Sequence, residues 1–364
     1  MRVLVVNAGS SSLKLALIDG ELTVASVTAE RWEGGGHLAP VTTFLAGLDQ
    51  VDAVGHRVVH GGPRLTESVL VDDHVLAYLD SIGDLAALHN PRALAGIRAV
   101  CTLLPDVPSV ACFDTTFHAH LPPAAHTYAL PREWNERWGL RRYGFHGLSH
   151  AHAVRRGAEL IGRDLAELRV VSCHLGAGAS VAAVRWGRSV DTTMGFTPLE
   201  GLVMATRSGS VDPGLLLWLL VHGDQTPASL SVALDHASGL KGLSGTSGDL
   251  RDVLASRSAG EADSILAFDV FVHRLRREIG AMTASAGGLD LLVITGGIGE
   301  HVPEVRTLVA DGLSYLGVAL DEELNSVTTS DRDISARGAQ VRSVVVTASE
   351  ASEIARETHR VVSA

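Results

Sequence analysis

Two distant stretches of the chain repeat one pattern, and a chain built this way is constrained to fold as two similar halves. VLVVNAGSSSLKLALIDG (residues 3–20) and RVVSCHLGAGASVAAVRWG (169–187) follow the same course. Each runs from a continuous apolar strand through a polar residue, Asn7 or His174, into a turn of small residues and then a second, alternating strand. A third strand follows each: ELTVASVTAE after the Asp19-Gly20 turn signal, and the segment through GRSVDTTMG. Continuous β-branched runs predict buried strands, alternation predicts strands with one wet face, and Asp-Gly predicts a tight turn. Each half therefore opens on a βββ meander, and self-similarity on this scale predicts duplicated domains flanking a cleft.

The segments between read as alternating α and β elements. VDAVGHRVVHGG is a strand then a loop, and PSVACFDTTFH a strand running into a polar turn. DHVLAYLDSIGDLAALHNP reads as one helix ended by Asn90-Pro91, and PRALAGIRAVCTLLP as another with Pro91 near its first turn. ADSILAFDVFVHRLRREIGAMTASAG has the period of a long amphipathic helix, LDLLVITGGIGEH reads as a strand into a glycine turn, and SEASEIARETHRVVSA as a closing helix. The fold class is α/β.

With 364 residues, 46% of them hydrophobic and 20% charged, the chain has material for two packed domains. A net charge of −11 argues against a nucleic-acid or anionic-membrane surface. Cys101, Cys112 and Cys173 are widely spaced, odd in number and fit no metal spacing, so they read as buried free thiols of a reducing compartment. MRVLVVN reads as a strand rather than a signal peptide, and GLLLWLLV is too short to span a bilayer. The expectation is a cytoplasmic protein.

NAGSSSLK has the parts of a phosphate cradle without being a P-loop. It lacks GK[ST], and a strand follows the turn, so no helix N-terminus faces the anion. A hairpin turn can still bind phosphate through converging backbone N–H groups: Gly9, Ser10, Ser11 and Ser12 let the anion approach and Lys14 adds a point charge. Alone, such a turn is ordinarily structural. Three of them, NAGSSSLK, HLGAGAS and TGGIGEH, each after an apolar strand, point to nucleotide binding.

Taken with GHRVVHGG, LHNP, FDTTFH, RRYGFHGLSH, TRSGSVDPG, SGDLRDV and GGIGE, in that order, these motifs closely resemble the acetate kinases, of the acetate and sugar kinase/actin superfamily. The resemblance runs over essentially the whole chain, and RRYGFHGLSH is its most specific part. It implies a duplicated actin-like ATPase fold (ribonuclease H-like βββαβαβα). The N-terminal domain would be residues 1–115 plus 352–364 and the C-terminal domain 116–351. It also implies a homodimer that phosphorylates acetate reversibly to acetyl phosphate, with ATP/ADP as co-substrate and Mg²⁺, or Mn²⁺, as cofactor.

Phosphoryl transfer needs charge stabilisation, a metal and in-line positioning rather than covalent help. Arg57 and Arg207 lie beside loops of small residues, and a guanidinium matches phosphate and carboxylate oxygens, although a lone Arg is ordinarily a surface ion-pair partner. The resemblance makes Arg57, Arg207 and His146 ligands of the phosphoryl oxygens and gives Asp114 an active-site role, to orient a group or help bind the metal. His89 becomes pocket lining or transition-state support. The resemblance also places Val59, Leu88, Phe145 and Pro198 around the substrate methyl, beside Arg57. Lys14, Ser10, Ser12 and His174, Leu175, Gly176, Ala177 and Gly178 fall near the phosphates. Asp249, Leu250 and Arg251, with Gly297, Ile298, Gly299, Glu300 and His301, fall at ribose and adenine. Asn7 and Glu350 become the metal side, with a helix N-terminal Glu as the plain alternative for Glu350. The family pattern has Asn at Ala177 and at His301, departures that touch nucleotide affinity and base preference rather than the reaction, and a second Glu at Ala351, a departure that loosens the match of Glu350 to the metal side. The rivals are a propionate or butyrate kinase of the same family and a non-catalytic, actin-type ATP-binding switch.

Overall fold

A computed structural model describes residues 1–8, 12–30, 39–48, 50–86, 90–327 and 330–364. The chain divides into two compact units, Met1–His120 with Phe145–His152 and Ser349–Ala364, and Leu121–Gly144 with Ala153–Ala348. The stretch from Phe145 to His152, which the sequence reading assigned to the C-terminal domain, packs with the first unit.

The first unit holds strands β1 (Arg2–Ala8), β2 (Ser12–Asp19), β3 (Leu22–Glu30), β4 (Ala53–Val58), β5 (Val69–Leu70) and β6 (Ser109–Phe113). The second holds β7 (Arg169–Leu175), β8 (Ala179–Arg185), β9 (Arg188–Thr192), β10 (Leu291–Thr295), β11 (Arg332–Asp333) and β12 (Arg342–Val345). The first sheet runs β3-β2-β1-β4-β6-β5 and the second β9-β8-β7-β10-β12-β11. The two match strand for strand: an antiparallel meander, two parallel strands, and a two-residue antiparallel edge. This is the duplicated actin-like α/β fold.

The opening strands β1 and β7 even share one burial pattern, with five buried residues and with Asn7 and His174 half-exposed at the same place. Covered on both faces, these strands need largely apolar runs, which VLVV supplies throughout and VVSC supplies around one buried serine, Ser172. The helix Glu350–Val362 packs on the first sheet, burying Ile354 and Ala355 against Val3, Val5 and Ile18. It comes so close that a Cβ on Gly55 of β4 would lie 2.3 Å from Thr358 Oγ1 and 2.6 Å from Ile354 Cγ2. That close approach fixes where Glu350, the first residue of the helix, sits.

Two sequence expectations are corrected. The helix over DHVLAYLDSIGDLAALHNP is Asp73–Ser81 alone, followed by a 3-10 turn Gly83–Ala86, and Asn90 begins the next helix, Asn90–Leu103. Asp72 caps the first of these by accepting from Val75 N–H, and Gly83 interrupts its period. GGIGEH is no turn but a six-residue helix, Gly296–His301, following an extended Thr295.

Candidate functional site

In the first unit the polar residues gather where the parallel strands end. Asn7 lies near the end of β1, Arg57 is the penultimate residue of β4, and Asp114 follows β6 directly, the ends at which open α/β sheets bind ligands. Arg57 donates from Nε to Asp114 Oδ1 at 3.0 Å and from Nη2 to Oδ2 at 2.6 Å. Its Nη1 donates to Asn7 Oδ1 at 3.3 Å, and Asn7 Nδ2 donates to Glu350 Oε2 at 2.7 Å. Glu350 Oε2 stands 3.6 Å from Arg57 Nε. Burial works against the Arg57 charge, but Asp114 and Glu350 outweigh it and hold its pKa above the ordinary value. Burial pushes the Asp114 carboxyl up against the pull of Arg57.

RRYGFHGLSH meets this cluster through its backbone. Gly147 N–H donates to the Asp114 carbonyl at 2.9 Å, and His146 carries a left-handed backbone, φ 57°, uncommon for any residue with a side chain. Phe145 is buried, its ring edge-on to His60 at 5.5 Å, and its carbonyl is 3.2 Å from His118 Nε2. Val59 is buried as well. Next to it, the His60 backbone N–H donates to Asn90 Oδ1 and its carbonyl accepts from Asn90 Nδ2. Lys14 is exposed on β2 directly across from Asn7. Ser10, Leu88 and His89 lie outside the described residues, and Ser12, half-exposed, begins β2.

In the second unit His174 pairs with Ser180 on β8 and with Thr295 on β10, so HLGAG and the start of GGIGE lie on adjacent strand ends. The turn closes with Gly176 N–H donating to Gly178 O at 3.0 Å. Its Ala177 carbonyl accepts from Ala205 N–H at 3.0 Å, which ties it to the Arg207 loop. Arg207 Nη1 donates to the Pro198 carbonyl at 3.3 Å, and Asp235 stands 4.0 Å from its Nε. Burial pulls the Arg207 pKa below its ordinary value, with Asp235 acting against it. Asp249 caps the helix Leu250–Ser258, accepting from Arg251 N–H, and its carboxylate also pairs with the Arg251 side chain. Gly297–His301 lie in the short helix Gly296–His301 after β10; Gly299 and Glu300 offer their carbonyls to buried Arg306 at 2.6 and 2.9 Å.

Similarity to known proteins carries the whole chain. A family model described as the acetokinase family matches residues 39–356. The chain belongs to the acetokinase family. The acetate kinase of Dictyoglomus turgidum is 44% identical over 396 aligned residues, covering 100% of this chain and 98% of that protein. The crystal structure of Porphyromonas gingivalis acetate kinase superposes with a TM-score of 0.93 at 34% identity, over 99% of each chain. A propionate kinase from Francisella tularensis does so with 0.91 at 32% identity, again over 99% of each. The acetokinase family is an enzyme family, so the chain is read as a phosphotransferase acting on a carboxyl group rather than as a nucleotide switch.

The structure brings together Asn7, Arg57, Asp114 and Glu350 in the first unit, and the HLGAG turn with the Arg207 loop in the second. Sequence reasoning missed Arg306, whose burial has no sequence signal. It also missed Tyr128 and Glu200, which bond to each other across 72 positions of sequence. Arg142, their partner, stands inside the quoted RRYGFHGLSH, where that motif alone assigned it nothing.

Proposed function

We propose that this enzyme phosphorylates acetate with ATP, reversibly, giving acetyl phosphate and ADP. An acetate oxygen attacks the γ-phosphorus in line, a P–O bond to that oxygen forms, and the bond to the ADP oxygen breaks. Arg57, His146 and Arg207 bind the phosphoryl oxygens, and Asp114 fixes the Arg57 fork by accepting from its Nε and Nη2. Lys14, Ser10, Ser12 and the HLGAG turn support the phosphates, while residues Gly297–His301 and Asp249–Arg251 hold the nucleoside. Val59, Leu88, Phe145 and Pro198 surround the methyl group, and His89 supports the transition state. The observation that carries this reading is the buried Arg57–Asp114 fork at the strand ends of a chain in the acetokinase family.

The oxygen donors of Asn7 and Glu350 suit Mg²⁺, or Mn²⁺, which accepts few protein carboxylates and keeps phosphate oxygens and waters. When bound, the ion neutralises phosphate charge. Glu350 is already oriented by Asn7 Nδ2.

Homodimerisation is part of the proposal. The helix Pro213–His222 buries none of its residues and exposes Leu217, Trp218 and Val221, an apolar face of the kind a second copy covers. Among the described residues no helix is long and apolar enough to cross a membrane, and we propose a cytoplasmic location.

A hydroxylamine trap tests the reaction. Acyl hydroxamate forming from ATP and acetate supports it, and ATP binding without hydroxamate overturns it. The similarity to a propionate kinase keeps a longer acid as the second reading, since one methylene is worth only about 1–3 kcal/mol. Turnover on acetate, propionate and butyrate decides between them.

A further inference from the structure

The second unit contains a polar cluster that the roles above leave unused. Arg142 Nη2 donates to Glu200 Oε1 at 2.7 Å, and Tyr128 Oη donates to Glu200 Oε2 at 2.8 Å. The same Tyr128 oxygen accepts from Phe196 N–H at 2.8 Å. Arg142 Nη1 also donates to the carbonyls of Thr193 and Met194, at 3.1 and 3.0 Å, and Tyr143 N–H to that of Gly195 at 3.0 Å. The segment from Thr193 to Glu200 is thus pinned at both ends and along its first half. The fit leaves no slack: a Cβ on Gly195 would stand 1.8 Å from Glu200 Oε2 and 2.3 Å from the Tyr128 hydroxyl.

Within this pinned segment lies Pro198, whose carbonyl accepts from Arg207 Nη1. The other contacts of the Arg207 guanidinium are weak, Met204 Sδ at 3.7 Å and Asp235 at 4.0 Å. Its orientation therefore depends on where the pinned segment holds Pro198.

We propose that Tyr128, Glu200 and Arg142 form a brace that positions Pro198 and Arg207 for phosphoryl transfer to the carboxylate, an inference that rests on the function proposed above. These three are positioning residues: they act through the loop and touch no reacting atom. A guanidinium displaced by an ångström loses much of its worth to a transition state, so disturbing the brace should act on the acid side of the reaction rather than on nucleotide affinity.

The test is steady-state kinetics on Tyr128→Phe, Glu200→Gln and the double variant, in the full-length protein, with acetate and ATP varied separately. Tyr128→Phe strips Glu200 Oε2 of its donor and Phe196 N–H of its acceptor; Glu200→Gln removes the charge that holds Arg142. Each should lower kcat/KM for acetate by about ten- to hundredfold while KM for ATP stays within about twofold. The double variant should lose little more than either single one, because the three groups act as a unit. Thermal melts accompany each, and if one variant fails to fold, the other carries the test. Unchanged acetate kinetics, or a rise in KM for ATP as large as the loss seen for acetate, overturn the brace. The wild-type hydroxamate assay runs alongside: no product there defeats the function itself, whereas product with wild-type kinetics in Tyr128→Phe defeats only the brace.

Discussion

Arg57 presents two of its nitrogens to both carboxylate oxygens of Asp114, at 3.0 and 2.6 Å, with the carboxylate 1% exposed. A buried carboxylate in this arrangement has one task, to hold a fork in a fixed plane. Asp114→Asn replaces one acceptor with a donor that faces the guanidinium. Breaking a buried pair from one side costs about 3–5 kcal/mol, because the remaining charge is left uncompensated. Asn7 and Glu350 also face Arg57, so the lower end, about 3 kcal/mol, is expected, together with a fall in kcat. Urea unfolding and turnover on the same preparation check both. Wild-type stability and rate in the Asp114→Asn variant would remove Asp114 from the site.

The His146 backbone, at φ 57°, is a second handle. Strained conformations persist where function needs them, and Asn occupies this region about as readily as His. His146→Asn should therefore keep the backbone while removing the imidazole. Turnover should drop by about 10²–10³, the loss typical of one transition-state hydrogen-bond donor. The urea midpoint should stay close to that of the parent. A variant that melts early without a specific loss of kcat would assign His146 to packing instead.

How far the sequence carried the reading depended on the distance over which each feature was encoded. The βββ meanders were legible because apolar runs, alternation and turn residues are local signals. The edge strands Val69–Leu70 and Arg332–Asp333 were not, since two residues carry no period. Gly296–His301 escaped because glycine disfavours helix, and a short helix at a strand end is fixed by its tertiary setting. Arg57 and Asp114 were found through motifs, but their fork joins residues 57 positions apart and no spacing rule anticipates it. The matched sheets explain why the repeat is structural rather than identical. On the strand beside Asn7 the first half carries Arg57, one step past the Val6–His56 pair, while beside His174 the second half carries Thr295. One scaffold thus carries a charge in one copy and a small polar residue in the other.

Arg207 tests the second half. Its side chain is held by one carbonyl, a sulfur and a distant carboxylate, so truncation removes little that the fold depends on. Arg207→Ala should retain a cooperative melt and lose about 10³–10⁵ in rate, roughly 4–7 kcal/mol of barrier, if it acts as arginine fingers do. Near-normal turnover in a folded variant would exclude that role.

The last prediction concerns stability and pH. His56, beside Arg57 on β4, is 2% exposed, with the Ser109 hydroxyl 3.4 Å from its Nε2. Burial pushes its pKa from 6.5 down to about 3. The unfolded chain takes up a proton here once the pH falls below about 6.5, and the folded chain does so only near pH 3, so in between the unfolded state binds more protons. Stability is then unaffected above pH 6.5 and declines as the pH drops through that window. By pH 5 this one group should have cost about 2 kcal/mol. His60, also pushed down by burial, to about 4, adds a decline of the same sign. Replacing His56 with Gln removes its share and leaves that of His60. Urea unfolding at about pH 7.5 and about pH 5 gives the difference directly. The parent should lose about 2 kcal/mol more than the variant between the two conditions, whatever the variant's stability at the higher pH. Identical pH dependence in both would mean that His56 is protonated in the folded protein.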